Sequence, residues 1–169
     1  MSPEFITILL AASPLSELRG AIPYAVGVAH FSLLKAFTLG VLGNVIPILP
    51  LLFLVYYGST FLSLRSAFVK NFLERLFSYT RRRHSQYFEK WSGRGASHHF
   101  LNKDFLIAFA LFVFVAIPLP LTGAWSGVLA GFVFGVPLSR AAIAVSLGVV
   151  VAGIVVTLAS AGIFTFIRL

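Results

Sequence analysis

The chain has 169 residues, 59% hydrophobic and 11% charged, with a net charge of +8 and no cysteine. A soluble domain carries about 25% charged residues, so the composition places the chain among integral membrane proteins, with room for one membrane domain and no separate soluble one. The lack of cysteine excludes disulfides, thiolate catalysis and Cys-ligated metals.

The N-terminus carries Glu4 where a signal peptide would have a basic region, so it reads as retained. Phe5 to Ser16 is 12 uncharged residues, roughly 18 Å as helix, which is too short to cross a bilayer and fits a half-membrane segment. It meets a break at Ser16-Glu17-Leu18-Arg19-Gly20-Ala21-Ile22-Pro23. Charges deep in a bilayer cost several kcal/mol, so they pair, face the interior or mark a path. Glu17 and Arg19 are two residues apart and would diverge on a regular helix. A backbone turned by Gly20 and Pro23 would bring them to one side. Two readings stand open there: Arg19 gripping a phosphate or carboxylate with Glu17 as a proton carrier, or an ion pair at a hairpin rim in the headgroup zone. His30 follows as an interfacial residue able to titrate near neutrality.

After Lys35, Ala36 to Leu64 is 29 residues without a charge, long enough to span. Asn44, Pro47 and Pro50 inside it mark a kink with freed carbonyls, which would line a polar cavity or only bend the helix. Nine of the 13 Lys and Arg then fall between Arg65 and Lys103. The positive-inside rule explains that block better than a nucleic-acid partner and puts it in the cytoplasm. Phe68, Phe72, Leu73, Leu76, Phe77 and Tyr79 interleave with Lys70, Arg75 and Arg81, the pattern of a helix lying on anionic headgroups. His84, His98 and His99 lack the partners a zinc site needs and read as solvated, so no metal or other cofactor is expected.

Asp104 to Pro137 has too many breakers for one helix and reads as a second hairpin with halves of about 14 residues. Its break is Ile117-Pro118-Leu119-Pro120-Leu121-Thr122-Gly123-Ala124-Trp125. Gly123, Gly127, Gly131 and Gly135 make a small-residue stripe for close packing, compatible with a sliding hairpin or a homodimer. Arg140 precedes a second spanning run of 27 uncharged residues, Ala141 to Ile167.

The two breaks align at an offset of 103, and Leu33-x-Lys35-Ala36 matches Leu138-x-Arg140-Ala141 at 105. The expected fold is therefore an all-α integral membrane protein in one domain, 1–169. It would be an inverted repeat of a re-entrant, broken-helix hairpin plus a spanning helix: repeat one about 3–64, a basic cytoplasmic segment about 65–103, repeat two about 104–168. Paired interrupted segments of this kind point to a transport site near the bilayer midplane, and the two tips are expected to meet there. The second tip has no charge, so an asymmetric site is expected. No nucleophile, base and acid arrangement is apparent, and the chain reads as a non-enzyme.

Glu17-Leu18-Arg19-Gly20-Ala21-Ile22-Pro23, followed by Ala116-Ile117-Pro118-Leu119-Pro120 and Thr122-Gly123-Ala124-Trp125, resembles the prokaryotic small multidrug export protein family over essentially the whole chain. That family looks like a compact relative of the DedA (SNARE-associated, VTT-domain) superfamily, which is linked to lipid translocation through two opposed re-entrant hairpins. The resemblance implies that Glu17 and Arg19 are the acid and base of the first hairpin and that Pro118, Pro120 and Gly123 form the second hairpin's turn. Leu121 replaces an expected Gly, and the second hairpin lacks the Arg of many DedA relatives, for which Arg140 is a candidate substitute.

The leading expectation is a transporter or flippase in the cell membrane for an amphipathic, anionic lipid-like substrate. Substrate would meet Arg19, Glu17, Gly20, Pro23, Pro118, Pro120, Thr122, Gly123, Trp125 and Arg140, with proton coupling at Glu17. One alternative is a small-molecule drug exporter; another is a non-transporting assembly or structural protein.

Overall fold

A computed structural model of the protein describes residues 1–65, 103–119 and 122–167. Among these are six helices and no strand: α1 Pro3–Ala12, α2 Glu17–Gly27, α3 Leu33–Arg65, α4 Lys103–Ala116, α5 Ala124–Val133 and α6 Leu138–Ile167. The order is short, short, long, twice over. The expected surface helix at Phe68 to Arg81, the three histidines beyond it, Pro120 and Leu121 lie outside the described residues.

Local chemistry sets the short helices. Ser2 caps α1 by accepting the Phe5 N–H at 3.3 Å, and Pro3 stands in the first turn, where its missing N–H goes unneeded. Pro14 then lies where the helix would continue. The 10 to 14 residues of α1, α2, α4 and α5 reach roughly 15 to 21 Å, short of a hydrocarbon core of about 30 Å. By contrast, Leu33–Gly58 in α3 and Leu138–Phe164 in α6 are long and apolar enough to cross it, at 26 and 27 residues. Leu42, Ile46 and Leu54 on α3, and Ile143, Ile154 and Leu158 on α6, are exposed. Apolar surface on that scale is unfavourable against water and suited to lipid.

Contacts give the chain directions. Phe37 and Val41 of α3 meet Gly153 of α6, and Tyr56 further along donates to the Val136 carbonyl at 2.8 Å just before α6 begins, so the long helices run antiparallel. Lys35 bonds Glu4, and Gly43 meets Ile8 and Ala11, so α1 runs with α3. On the other side Leu111 shares the neighbourhood of Ala141 at Gly131, and Val115 meets Gly148, so α4 runs with α6. The second short helices cross over: α2 follows α6, with Gly27 against Phe164, and α5 follows α3, with Phe132 edge-on to Tyr56. Each second short helix therefore lies against both long helices. Ile22, Ile48, Leu52, Val115, Val128, Val145 and Val149 fill the core between them.

Two local expectations need correction. The first break is not at Gly20 and Pro23, which lie inside α2; the chain turns at Ser13 to Ser16. The glycine stripe stops being a stripe at Gly135, which leaves the helix with φ +68° and where a Cβ would meet open space, while Gly127 and Gly131 pack tightly on Val115 and Leu111.

Candidate functional site

The first tip is a strained helix start. Ser13 caps α1 with its backbone N–H, the Ser16 hydroxyl reaches back to the Leu10 carbonyl, and the Glu17 N–H donates to the Ser13 carbonyl at 3.1 Å. Glu17 itself has φ +47°. The left-handed region costs a side-chain-bearing residue about 1–2 kcal/mol, and such residues persist where the surroundings hold them. The irregular start also changes the i,i+2 geometry, bringing the Arg19 guanidinium to 3.7 Å from the Glu17 carboxylate. A tight start needs a small residue one turn on, and a Cβ on Gly20 would crowd Ser16.

The second tip is knitted by Thr122. Its hydroxyl lies 2.7 Å from the Ile117 carbonyl and 3.0 Å from that of Leu119, and it accepts the Leu119 N–H at 3.1 Å. Gly123 then caps α5 with extended backbone, its N–H donating to the Ser126 hydroxyl at 3.0 Å. That arrangement leaves the first N–H groups of α5 pointing out of the loop. A helix N-terminus carries roughly half a positive charge and favours an anion.

The anion it receives is the protein's own. The Glu17 carboxylate lies against Gly123 and accepts the Trp125 N–H at 3.4 Å, and a Cβ on Gly123 would fall inside that carboxylate. Arg19 completes the junction by donating to the Thr122 carbonyl at 2.6 Å. The two motifs, about a hundred residues apart in sequence, are thus bonded to each other by an acid and a base from the first tip.

Beside the junction is a small cavity with room for about one water-sized group. Its polar wall is Glu17, Arg19, Asn44, Thr122 and Gly123; Leu18, Val115, Val149 and Ala152 supply apolar walls. Asn44 is 11 residues from the start of the α3 span and 14 from its end, roughly 16 and 21 Å along the axis. The cavity lies midway along both long helices.

Of the ten expected substrate residues, Glu17, Arg19, Pro118, Thr122 and Gly123 line this cavity. Trp125 binds Glu17 through its backbone, and its indole N–H is buried without a partner. Gly20 and Pro23 serve the packing and course of α2. Arg140 is exposed at the start of α6, nine residues before Val149, roughly 13 Å away, and does not reach the cavity. Asn44 is the lining residue that its sequence signal had only half disclosed: it is the sole carboxamide in the Ala36 to Leu64 run.

No match was found among curated proteins or among solved structures. The wider kinship with the DedA superfamily rests on the motif resemblance alone. Residues 17–155, from the Glu17 that joins the two tips to a point past mid-span of α6, match the family described as "Putative small multi-drug export protein", and the chain belongs to that family of membrane proteins.

Proposed function

We propose that the protein is a proton-coupled exporter of small amphipathic molecules, working through the mid-depth cavity between the two tips. The observation that carries this reading is the junction itself: Glu17 and Arg19 of one tip hold Gly123, Trp125 and Thr122 of the other, halfway along both long helices. With the basic segment in the cytoplasm, α3 runs inward and α6 outward, and the short pairs α1–α2 and α4–α5 enter from opposite faces as re-entrant hairpins. Backbone that is irregular at such depth is tolerated where protein surrounds it or a cavity lies beside it. Because α1 packs on α3 and α4 on α6, while α2 and α5 each touch both long helices, separating the tips slides each hairpin's second helix against the opposite half's long helix. That is the geometry of a gate opening alternately to either side.

Protonation of Glu17 removes the charge that holds its carboxylate on the α5 N-terminus and near Arg19, which frees the junction. A substrate leaving outward and a proton entering inward then alternate at one carboxylate. Export requires no bond making, and among the described residues no nucleophile stands beside a general base.

The family description favours small-molecule export over the lipid reading. A physical reason agrees with it: the α5 N–H groups that would cradle a lipid phosphate already face the Glu17 carboxylate. The test is transport into inverted proteoliposomes of doxorubicin, a fluorescent amphipathic amine, under an imposed pH gradient. Wild type is expected to concentrate the drug only with the gradient, and Glu17→Gln to lose the gradient dependence. Gradient-dependent transport at the wild-type rate in Glu17→Gln would overturn the proton-carrier role; no transport by wild type of doxorubicin or of a wider drug panel would overturn export.

A further inference from the structure

Five polar or charged residues are buried among the described ones: Thr7, Glu17, Asn44, Thr157 and Ser160. The three hydroxyls are satisfied within their own helices, each donating to the carbonyl four residues back at 2.7 to 2.8 Å. Asn44 is different. It is 1% exposed, and neither its amide nitrogen nor its amide oxygen has a partner. Leaving one buried polar atom unpaired costs about 1–3 kcal/mol, and in a membrane interior water does not compensate. An apolar residue of the same volume would fill the position at no such cost.

Position gives the amide a use. Asn44 lines the same cavity as the Glu17 carboxylate, and that cavity holds about one water-sized group. Glu17 accepts the Trp125 N–H at 3.4 Å and stands 3.7 Å from the Arg19 guanidinium, which donates to the Thr122 carbonyl. An ionised carboxylate offers about four acceptor sites, so Glu17 has lone pairs to spare. The cavity therefore brings a carboxylate and an unpartnered carboxamide together with the apolar side chains of Val115, Val149 and Ala152.

We propose that Asn44 and Glu17 together form the head-group subsite of the exporter and that it selects protonated primary amines bearing an apolar body. The inference rests on the export reading and deepens it by naming the substrate class. An –NH3⁺ group is about the size of a water molecule and has three N–H donors, which go to the Glu17 carboxylate and Asn44 Oδ1. A quaternary ammonium has no donor and is too large for the cavity. A carboxylate or phosphate head would meet the like charge of the Glu17 carboxylate. Asn44 is a specificity-determining residue in this scheme, and Glu17 carries the exchangeable charge.

The experiment is direct binding, read without transport. Trp91→Phe leaves Trp125, whose backbone N–H touches Glu17, as the only tryptophan of the two. Its emission is followed in detergent-solubilised protein during titration with octylamine and with octyltrimethylammonium, for the Asn44 background and for Asn44→Leu. The expected result is saturable octylamine binding, weakened at least about tenfold by trimethylation of the probe and by a similar factor in Asn44→Leu. Thermal unfolding of Asn44→Leu should match or exceed that of the Asn44 protein, because an apolar side chain of similar size relieves the unpaired amide. Equal affinity for the two probes, unchanged octylamine affinity in a folded Asn44→Leu, or no octylamine binding at all would each overturn the proposal. Export of quaternary dyes as efficient as that of doxorubicin would overturn it while leaving export intact; selective octylamine binding with no transport of any drug would overturn export and leave the subsite.

Discussion

Among the described residues are two acid–base pairs of nearly the same chemistry in opposite settings. Glu4 and Lys35 meet at 2.7 Å near the start of α1 and α3, with side chains 41% and 45% exposed, and Lys35 also lies over the Phe31 ring. Glu17 and Arg19 stand further apart, at 3.7 Å, with the acid only 9% exposed and both groups directed at a second element. The shorter pair ties α1 to its own long helix, while the longer pair joins the two halves. Distance between partners is a poor guide to importance here; what each charge would lose by release matters more. Exposed pairs are replaced by water and salt at little cost, whereas a charge stranded at mid-depth has nothing else to bind.

Breaking the inner pair should produce the largest effects. Gly123→Ala places a methyl group where the Glu17 carboxylate lies, and should both abolish export and lower stability by about 1–3 kcal/mol, as overpacking does. If the clash is with the carboxylate, Glu17→Ala in the same protein should recover much of that loss, and a thermal-unfolding double-mutant cycle measures the coupling. Additive losses would show that the carboxylate does not sit on Gly123.

Arg19→Ala comes next, because it leaves the buried side of the Thr122 carbonyl without its donor. The expected stability loss is about 1–3 kcal/mol, with loss of transport in folded, membrane-inserted protein. Arg19→Lys keeps the charge but offers a compact ammonium in place of the planar fork, so partial activity is expected. Doxorubicin transport beside thermal unfolding separates the two effects.

The outer pair should matter least. The hydrogen bond from Lys35 holds the Glu4 carboxyl below the ordinary glutamate value. A carboxylate with a depressed folded-state pKa contributes stability above its unfolded pKa and loses it as pH falls through the lower folded value. Glu4→Gln should therefore match wild type in export at neutral pH, and any stability difference should vanish under acid conditions or high salt. A neutral-pH transport defect in Glu4→Gln as deep as that of Arg19→Ala would erase the distinction between the pairs.

The spans and the meeting of the tips were legible in the sequence because both leave long-range marks. Uncharged runs of 29 and 27 residues announce α3 and α6, and paired breaks about 103 residues apart announce tips that need each other. Local backbone was less legible. Gly20 and Pro23 look like breakers, yet Pro23 is accommodated inside α2, while the true turn comes at Ser13 to Ser16, and nothing in the residue type announces the left-handed Glu17. The role of Gly123 was also hidden, since a glycine near a loop reads as a turn residue until the carboxylate beside it is seen. Asn44 illustrates the same limit from the other side: one amide in an apolar run marks a polar point in the membrane, but only packing reveals that Glu17 shares its cavity and that both amide atoms lack partners.

The most direct test of exchange at the junction is proton release on drug binding. Doxorubicin is added to weakly buffered, detergent-solubilised protein, and released protons are counted with an indicator dye over about pH 5 to 7, where the drug keeps its positive charge. Exchange at one carboxylate predicts release that rises to about one proton per bound drug at its maximum and disappears in Glu17→Gln. Binding with no proton release at any pH, or with the same release in Glu17→Gln, would contradict it.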